Sequence, residues 1–525
     1  MSLTTLSNNV GRYRWRICAL LFIATTINYT DRSILGYLGP TLQYKVFDWT
    51  DAQWGLINSC FSMAYAIGML TMGSFIDRVG TRKGYATSIV IWSVSGMLHA
   101  AVRPAFGFIG FCMARFGLGI GESGNFPAAI KTVAEWFPKK ERALATGILN
   151  AGSNVGVILA PLIIPLVVWP DGTHWQYAFL TTGVFSALWV VLWLSMYRRP
   201  EIHPKLSKEE LAYIDSDSAP ETEPEKLSWG HMLHLRELWA FTAGKMTDAV
   251  WWFYLFWGGK FLFDEFGLDI KSIALPFIII YVIADCGSIM GGWLSSHWIK
   301  KGWTVNRARK TTMLIAAICI LPVTFSTKLG TTFDVNAAFF TKVQTATYSA
   351  EQIVTEGGRP VSHHVDLNVS ADDIAKLHAL DGKSYASAKE FMTAAKGVIG
   401  DKEATTVSSA LFNSARSNNF YWIAVFLIAL AAASHQAWSA NLFTLVSDVF
   451  PKKATASVTG FGGMSGAVAG AIANLALGEL LTGKGPSAYF YAFLISGSCY
   501  LILLGVIHLL MPKMTPLDEN LQHTS

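Results

Sequence analysis

This chain has little charge: Asp, Glu, Lys and Arg make up only 15% of 525 residues, against 52% hydrophobic. A soluble domain usually carries about 25% charge, so a water-soluble globule is excluded and a chain that crosses a bilayer many times is expected. Cysteine is much scarcer, at six residues. Cys18, Cys60, Cys112, Cys286, Cys319 and Cys499 all fall in apolar runs and lack the close spacings of a metal site. They read as small buried residues, not as a disulfide framework. The motifs H-E-x-x-H and G-x-S-x-G are absent, which disfavours an intramembrane enzyme, and no cofactor or metal is expected. The opening MSLTTLSNNVGRYRWR offers no small-residue cleavage site and leads into a run longer than a signal peptide. A retained first membrane helix is expected. The net charge of +5 raises nucleic acid as a partner, but the basic residues lie in short loops between apolar runs, so nucleic acid is set aside.

What is present is a series of apolar windows of about 20 residues, each long enough to span hydrocarbon. They fall near 16–38, 53–76, 85–103, 106–134, 143–168 and 175–197, then near 237–262, 272–298, 310–329, 419–449, 456–482 and 488–511. The expected fold is therefore all-α, about twelve transmembrane helices in two six-helix bundles. The expected units are an N-terminal bundle 1–197, a linker 198–235, helices 7–9 over 236–329, an insertion 330–418, helices 10–12 over 419–511 and a tail 512–525. Arg12, Arg14, Arg16, Arg78, Arg82, Lys83, Lys139, Lys140, Arg142, Lys300, Lys301, Lys452 and Lys453 all belong to loops on one side. By the bias of basic loops to the cytoplasm, both termini and the linker are expected there, in a multi-pass protein of the cell (inner) membrane, with the insertion outside. A monomer is expected.

The halves are related. WFPKKERALATG at 136–147 recurs as VFPKKATASVTG at 449–460, an offset of 313, while YTD at 29–31 answers MTD at 246–248 and Gly73 answers Gly291. The unequal offsets locate the inserted segment before helix 10. Two parallel repeats of this kind hold a substrate site between them near the bilayer midplane.

These residues carry a resemblance. GSFIDRVGTRKG (73–84) resembles the signature loop of major facilitator superfamily transporters, with Gly73, Asp77, Arg78, Gly80, Arg82 and Lys83 as its conformational elements. YTDR (29–32), GESGNFPAAIK (121–131), EWFPKKERA (135–143) and HQAWSANLFTLVSDVFPKK (435–453) are similar to the anion:cation symporter branch and, within it, the hexuronate transporters. The resemblance spans nearly the whole chain except 330–418. It implies proton-coupled import of a sugar acid such as glucuronate or galacturonate by alternating access.

The candidate site follows from intramembrane charge, which is costly unless it faces a wet or protein-lined interior. Arg115 and Glu122 stand seven residues apart on one helical face. Glu122 is the leading proton carrier, with Arg115 tuning it, serving as its structural partner, or binding the substrate's negative end. Asp31 and Arg32 are adjacent. They either neutralise each other, or Arg32 grips a carboxylate through its planar fork while Asp31 takes the proton and controls that grip. The resemblance assigns Arg32 and Asp31 to substrate binding and proton coupling, and Tyr29 and Tyr65 to the sugar acid. Both tyrosines also fit as ordinary buried residues. The repeat offset sets His435 opposite Glu122, as a second titrating group, a hydroxyl donor or a packing residue. Gln436 is a hydroxyl ligand candidate. Asn150 and Asn154 share a face and suit a polyol, with Gly147, Gly152 and Gly156 read as helix-packing residues. Lys245 and Asp248 are spaced for an internal ion pair, and Lys245 is also a substrate-binding candidate. Trp252 or Trp251 can stack on a sugar ring or anchor at the interface. Asp285 is a further acid without an assigned partner.

Ser295 replaces Asp77 in the second-half loop, so gating there is one-sided. Gly463 and Ser153 stand where galactonate-type relatives carry amides, which favours hexuronates over aldonates. Alternation near 350–369 suggests strands, and DDIAKLHAL and SAKEFMTAAKGVI suggest amphipathic helices, so 330–418 reads as a folded cap. Its His363, His364 and Asp366 read as solvated rather than metal-binding. The alternatives to a hexuronate symporter are an aldonate or other organic-anion symporter, a sodium-coupled one, or a membrane solute sensor.

Overall fold

In the computed structural model the apolar windows become helices that pack by their small-residue faces. The structure describes the chain apart from residues 1–10, 104–106, 170–171, 218–228, 267, 269–271, 330–331, 336–340, 344–346, 357–358, 368, 381, 386–387, 416–419, 485–486, 519–520 and 524–525. Helices α1 (Tyr13–Pro40), α2 (Asp51–Val79), α3 (Thr81–Ala101), α4 (Gly107–Ser123), α5 (Asn125–Trp136), α6 (Lys139–Val167) and α7 (Gln176–Met196) build the first half. After the linker helices α8 (Lys208–Ile214) and α9 (Trp229–Leu233) come α10 (Arg236–Lys245), α11 (Asp248–Phe266), α12 (Ala274–Lys300) and α13 (Val305–Ile320), the last prolonged by a 3-10 turn over Leu321–Leu329. Beyond the insertion, α17 (Phe420–Val449), α18 (Lys452–Lys484) and α19 (Ala488–Leu510) complete the second half.

Counted as spans, these helices make twelve, because α4 with α5 forms the fourth and α10 with α11 the seventh. Among the described residues, eight helices are long and apolar enough to cross a membrane by length and composition alone. The chain is a multi-pass membrane protein.

The two broken spans have local causes. Pro127 has no N–H for the Ser123 carbonyl and its ring crowds that turn, so the fourth span stops at Ser123 and restarts at Asn125. In the seventh, the Thr247 hydroxyl donates to the Gly244 carbonyl at 2.7 Å. That bond takes a carbonyl the helix ladder would otherwise use. Both breaks lie beside charged residues, Glu122 in one case and Lys245 with Asp248 in the other.

The halves meet chiefly along α1 with α11, α2 with α18 and α6 with α12. The α1–α11 approach requires glycine. A Cβ at Gly36 would sit 2.0 Å from the Leu255 carbonyl oxygen, well inside van der Waals contact. Within the first half, Gly152 and Gly156 lie against the α1 backbone at Phe22 and Thr26, whereas Gly147 has open space around it.

The linker is docked on the first half. Glu210 of α8 accepts from the Tyr13 and Arg14 amides, each at 3.1 Å. It thereby satisfies the free N–H groups at the start of α1. Arg14 also pairs with Glu141 at 2.8 Å.

The insertion is an α+β unit. Strands β1 (Thr332–Val335), β2 (Thr341–Val343), β3 (Thr347–Glu356), β4 (Arg359–Asp366) and β5 (Lys383–Tyr385) form one antiparallel sheet, with β3 pairing β1, β2 and β4. Helices α14 (Ala371–Leu377), α15 (Ala388–Ile399) and α16 (Asp401–Ala415) bury Leu377, Phe391, Ala395, Ile399 and Val407 in a core of their own. His363, His364 and Asp366 lie in β4, and their side chains fall outside the described residues. By chain direction the insertion sits at the end where α1 and α11 finish, and α15 packs against α11.

Candidate functional site

The first half brings together three charges that the sequence scatters over ninety residues. Arg32 Nε donates to Glu122 Oε2 at 2.8 Å, and both side chains are buried, at 4% and 0% exposure. Arg32 Nη2 also reaches the Asn28 side-chain oxygen at 3.5 Å. Four rings enclose the guanidinium: Tyr29 at 4.7 Å, Tyr65 at 4.8 Å, and Phe61 and Trp252 at 5.3 Å each. A weakly hydrated guanidinium is held favourably over such faces. Trp252 comes from α11, so the cage closes only when both halves meet.

Arg115 occupies the other face of the arrangement. Its guanidinium lies 4.3 Å from the Phe61 ring centre and 5.3 Å from that of Phe256. It is fully buried, and none of Nε, Nη1 and Nη2 has a hydrogen-bond partner among the described residues; neither does Glu122 Oε1. Glu122 thus bonds Arg32 across the helix interface, and the Arg115–Glu122 spacing along α4 does not produce a direct bond between them. Leaving such donors unpaired in a dry site is costly. Of the two buried guanidiniums, Arg32 alone is bonded to the carboxylate.

Asp31 points elsewhere. It accepts from Ser186 at 3.5 Å and from Thr182, both on α7, so it pairs with polar groups inside the first half rather than with Arg32. The adjacent positions differ by about 100° around the helix, which separates their surroundings.

In the second half, Lys245 and Asp248 form an ion pair at 2.5 Å, and Lys245 lies over the Phe443 ring at 4.4 Å. His435 Nδ1 meets the Tyr500 hydroxyl at 2.6 Å and its ring stacks on Trp251 at 5.4 Å. Of the two tryptophans, Trp251 therefore holds the histidine and Trp252 the arginine cage. Gln436 is half-buried, Asn150 exposed and Asn154 half-buried. The two asparagines stand about 160–200° around α6 from Gly152, away from α1. Asp285 is half-buried on α12.

At the opposite end from the insertion lies the signature loop. Gly73 is half-buried near the end of α2, and Gly80 joins α2 to α3 with φ +81°, a conformation that favours glycine. Asp77 pairs with Lys131 of α5 at 2.6 Å, Arg82 donates to the Leu194 carbonyl, and Arg78 and Lys83 are exposed. The second half uses different residues: Arg309 bonds Ser295 at 2.8 Å and pairs with Asp448 at 3.1 Å. Sequence reading missed Phe61 and Phe256 as parts of the cage, because apolar aromatics in apolar helices carry no signal of their own.

Residues 21–350 match the sequence profile described as the Major Facilitator Superfamily. The galacturonate transporter of Dickeya chrysanthemi is 32% identical over 315 residues, 59% of this chain and 89% of that protein. The hexuronate transporter of Escherichia coli K12 is 32% identical over 308 residues, 57% of this chain and 70% of that protein. Among solved structures, a bacterial homolog of the human lysosomal transporter Spinster, inward-facing and occupied, superposes with a TM-score of 0.62. It is 14% identical and covers 96% of this chain and 98% of that one.

Proposed function

Because this chain belongs to the Major Facilitator Superfamily, we propose that it is a proton-coupled symporter that imports a hexuronate by alternating access. Sugar-acid transport is the business of the galacturonate and hexuronate transporters it is similar to. The observation that carries the reading is the charge imbalance in the cage: Arg32 and Arg115 are both buried, and among the described residues Glu122 is the one anion bonded to either. One further anionic group completes the balance. A carboxylate suits it, because the guanidinium fork matches carboxylate geometry in two parallel bonds. Tyr29, Tyr65 and Trp252 present faces and hydroxyls suited to a sugar ring.

The same geometry supports proton coupling. A substrate carboxylate competes with Glu122 for Arg32, and a proton on Glu122 removes the competitor. Proton and anion therefore favour each other's binding, by the same factor in both directions. The basic loops at the end away from the insertion support a cytoplasmic location for that end and for both termini. The test is uptake of labelled glucuronate and galacturonate into vesicles holding the purified protein. Accumulation that collapses with a protonophore and ignores sodium supports the reading. Accumulation driven by sodium alone, or none with any sugar acid, overturns it.

A further inference from the structure

The cage is linked along α11 to a second buried cluster that the transport reading does not use. Trp252, Phe256, Lys260 and Asp264 recur every four residues and so lie along one stripe of the helix. Trp252 covers Arg32 and Phe256 covers Arg115. Two turns beyond Trp252, Lys260, only 1% exposed, crosses to the other half and pairs with Asp51 of α2 at 3.0 Å.

Around this pair the halves are joined throughout. The Ser59 hydroxyl donates to the Ala471 carbonyl at 2.8 Å, the Asn474 amide to the Ser62 hydroxyl at 3.5 Å, and the Ala52 amide to the Thr482 hydroxyl at 2.8 Å. All of these contacts lie toward the end bearing the insertion.

We propose that Lys260 and Asp51 form a clasp that closes the pathway at this end and must part in each transport cycle, with α11 carrying the state of the cage to it. The inference rests on the transport reading above. What distinguishes the clasp from an ordinary buried ion pair is that each member keeps a partner on its own side. Lys260 also pairs with Asp264 on its own helix and reaches the Tyr489 hydroxyl at 3.4 Å, and Tyr489 donates to Asp264 at 2.9 Å. Asp51 accepts from Gln43 of its own half at 2.5 Å. A buried pair is costly to break mainly because it strands a charge without a partner. Here separation leaves Lys260 the Asp264 carboxylate and Asp51 the Gln43 amide, so the seam can open and reclose. The inserted domain packs through α15 on the same helix, so it moves with the clasp.

Two measurements test this in a background where the six native cysteines are replaced. Ala52→Cys with Thr482→Cys, cross-linked by an oxidant, is expected to lower glucuronate uptake into vesicles at least tenfold and to recover on reduction. Glucuronate binding to the cross-linked protein in detergent should persist, because the link leaves the residues of the cage unchanged. In the second measurement, Ser59→Cys reports the seam through labelling by an impermeant maleimide added from the insertion side. Labelling is expected to rise several-fold with Lys260→Met and to return with Lys260→Arg. If Lys260→Met does not yield folded protein, Asp51→Asn makes the same prediction. Undiminished uptake by the cross-linked protein, or maleimide labelling of the Ser59→Cys protein unchanged by the clasp substitutions, overturns the clasp. The labelling measurement needs no transport, so a failure of the sugar-acid reading alone leaves it interpretable.

Discussion

The guanidinium of Arg32 and the carboxylate of Glu122 meet at 2.8 Å across ninety residues of chain, with the Arg115 guanidinium fully buried across the Phe61 ring and bonded to neither. From that relationship follow expectations that separate binding, coupling and folding.

Glu122→Gln keeps the shape of the side chain and removes its charge. It is expected to bind and exchange glucuronate but to lose proton-driven accumulation. In the wild type, affinity should weaken as pH rises, because deprotonated Glu122 competes for Arg32. Binding isotherms across pH check this: the variant should be flat, and full accumulation by it would remove Glu122 from coupling.

Arg115→Met is expected to act in opposite directions on stability and binding. Removing an unpaired buried cation while keeping its apolar stem should raise the stability of the unliganded protein by about 1–3 kcal/mol. Loss of a charged contact should weaken substrate binding at least about tenfold, the equivalent of 1.4 kcal/mol. Thermal melts with and without glucuronate read both. A variant that is less stable yet binds normally would mean Arg115 serves packing alone.

Lys245 and Asp248 should show strong non-additivity. Asp248→Asn alone strands Lys245, which is 5% exposed, and is expected to cost about 3–5 kcal/mol, whereas Lys245→Met with Asp248→Asn should cost much less. A double-mutant cycle by denaturation in detergent measures the coupling.

Replacing 332–417 by a short Gly/Ser link is expected to leave the bundle folded, because the insertion has a separate core and α17 packs against the 3-10 turn that precedes it. Size-exclusion profile and melting temperature check this. Aggregation of the shortened chain would show that the bundle depends on the insertion.

The broad plan was legible in residue order because the bilayer imposes it: apolar runs of spanning length, basic loops on alternate connections and an internal repeat each follow from solvent physics acting locally. The insertion's α+β character showed in its alternation and amphipathic spacing for the same reason. Charged residues inside apolar helices marked the candidate site, but not who pairs with whom. Glu122 sits two turns from Arg115 on its own helix and nevertheless bonds Arg32 on another. The helix breaks at Gly124 and Met246 were also missed, although Pro127 could have signalled the first.

Membership of a membrane bundle with buried charges was thus determined by the order of residues alone, since the cost of placing charge in hydrocarbon applies whatever the partners. The pairing of Arg32 with Glu122, the solitary Arg115, the turning of Asp31 toward Thr182 and Ser186, and the Asp51–Lys260 contact were decided only by tertiary structure. Each depends on the rotation of one helix against another, and that rotation is set by which small residues let two backbones approach, a property of the packed pair that neither helix holds by itself.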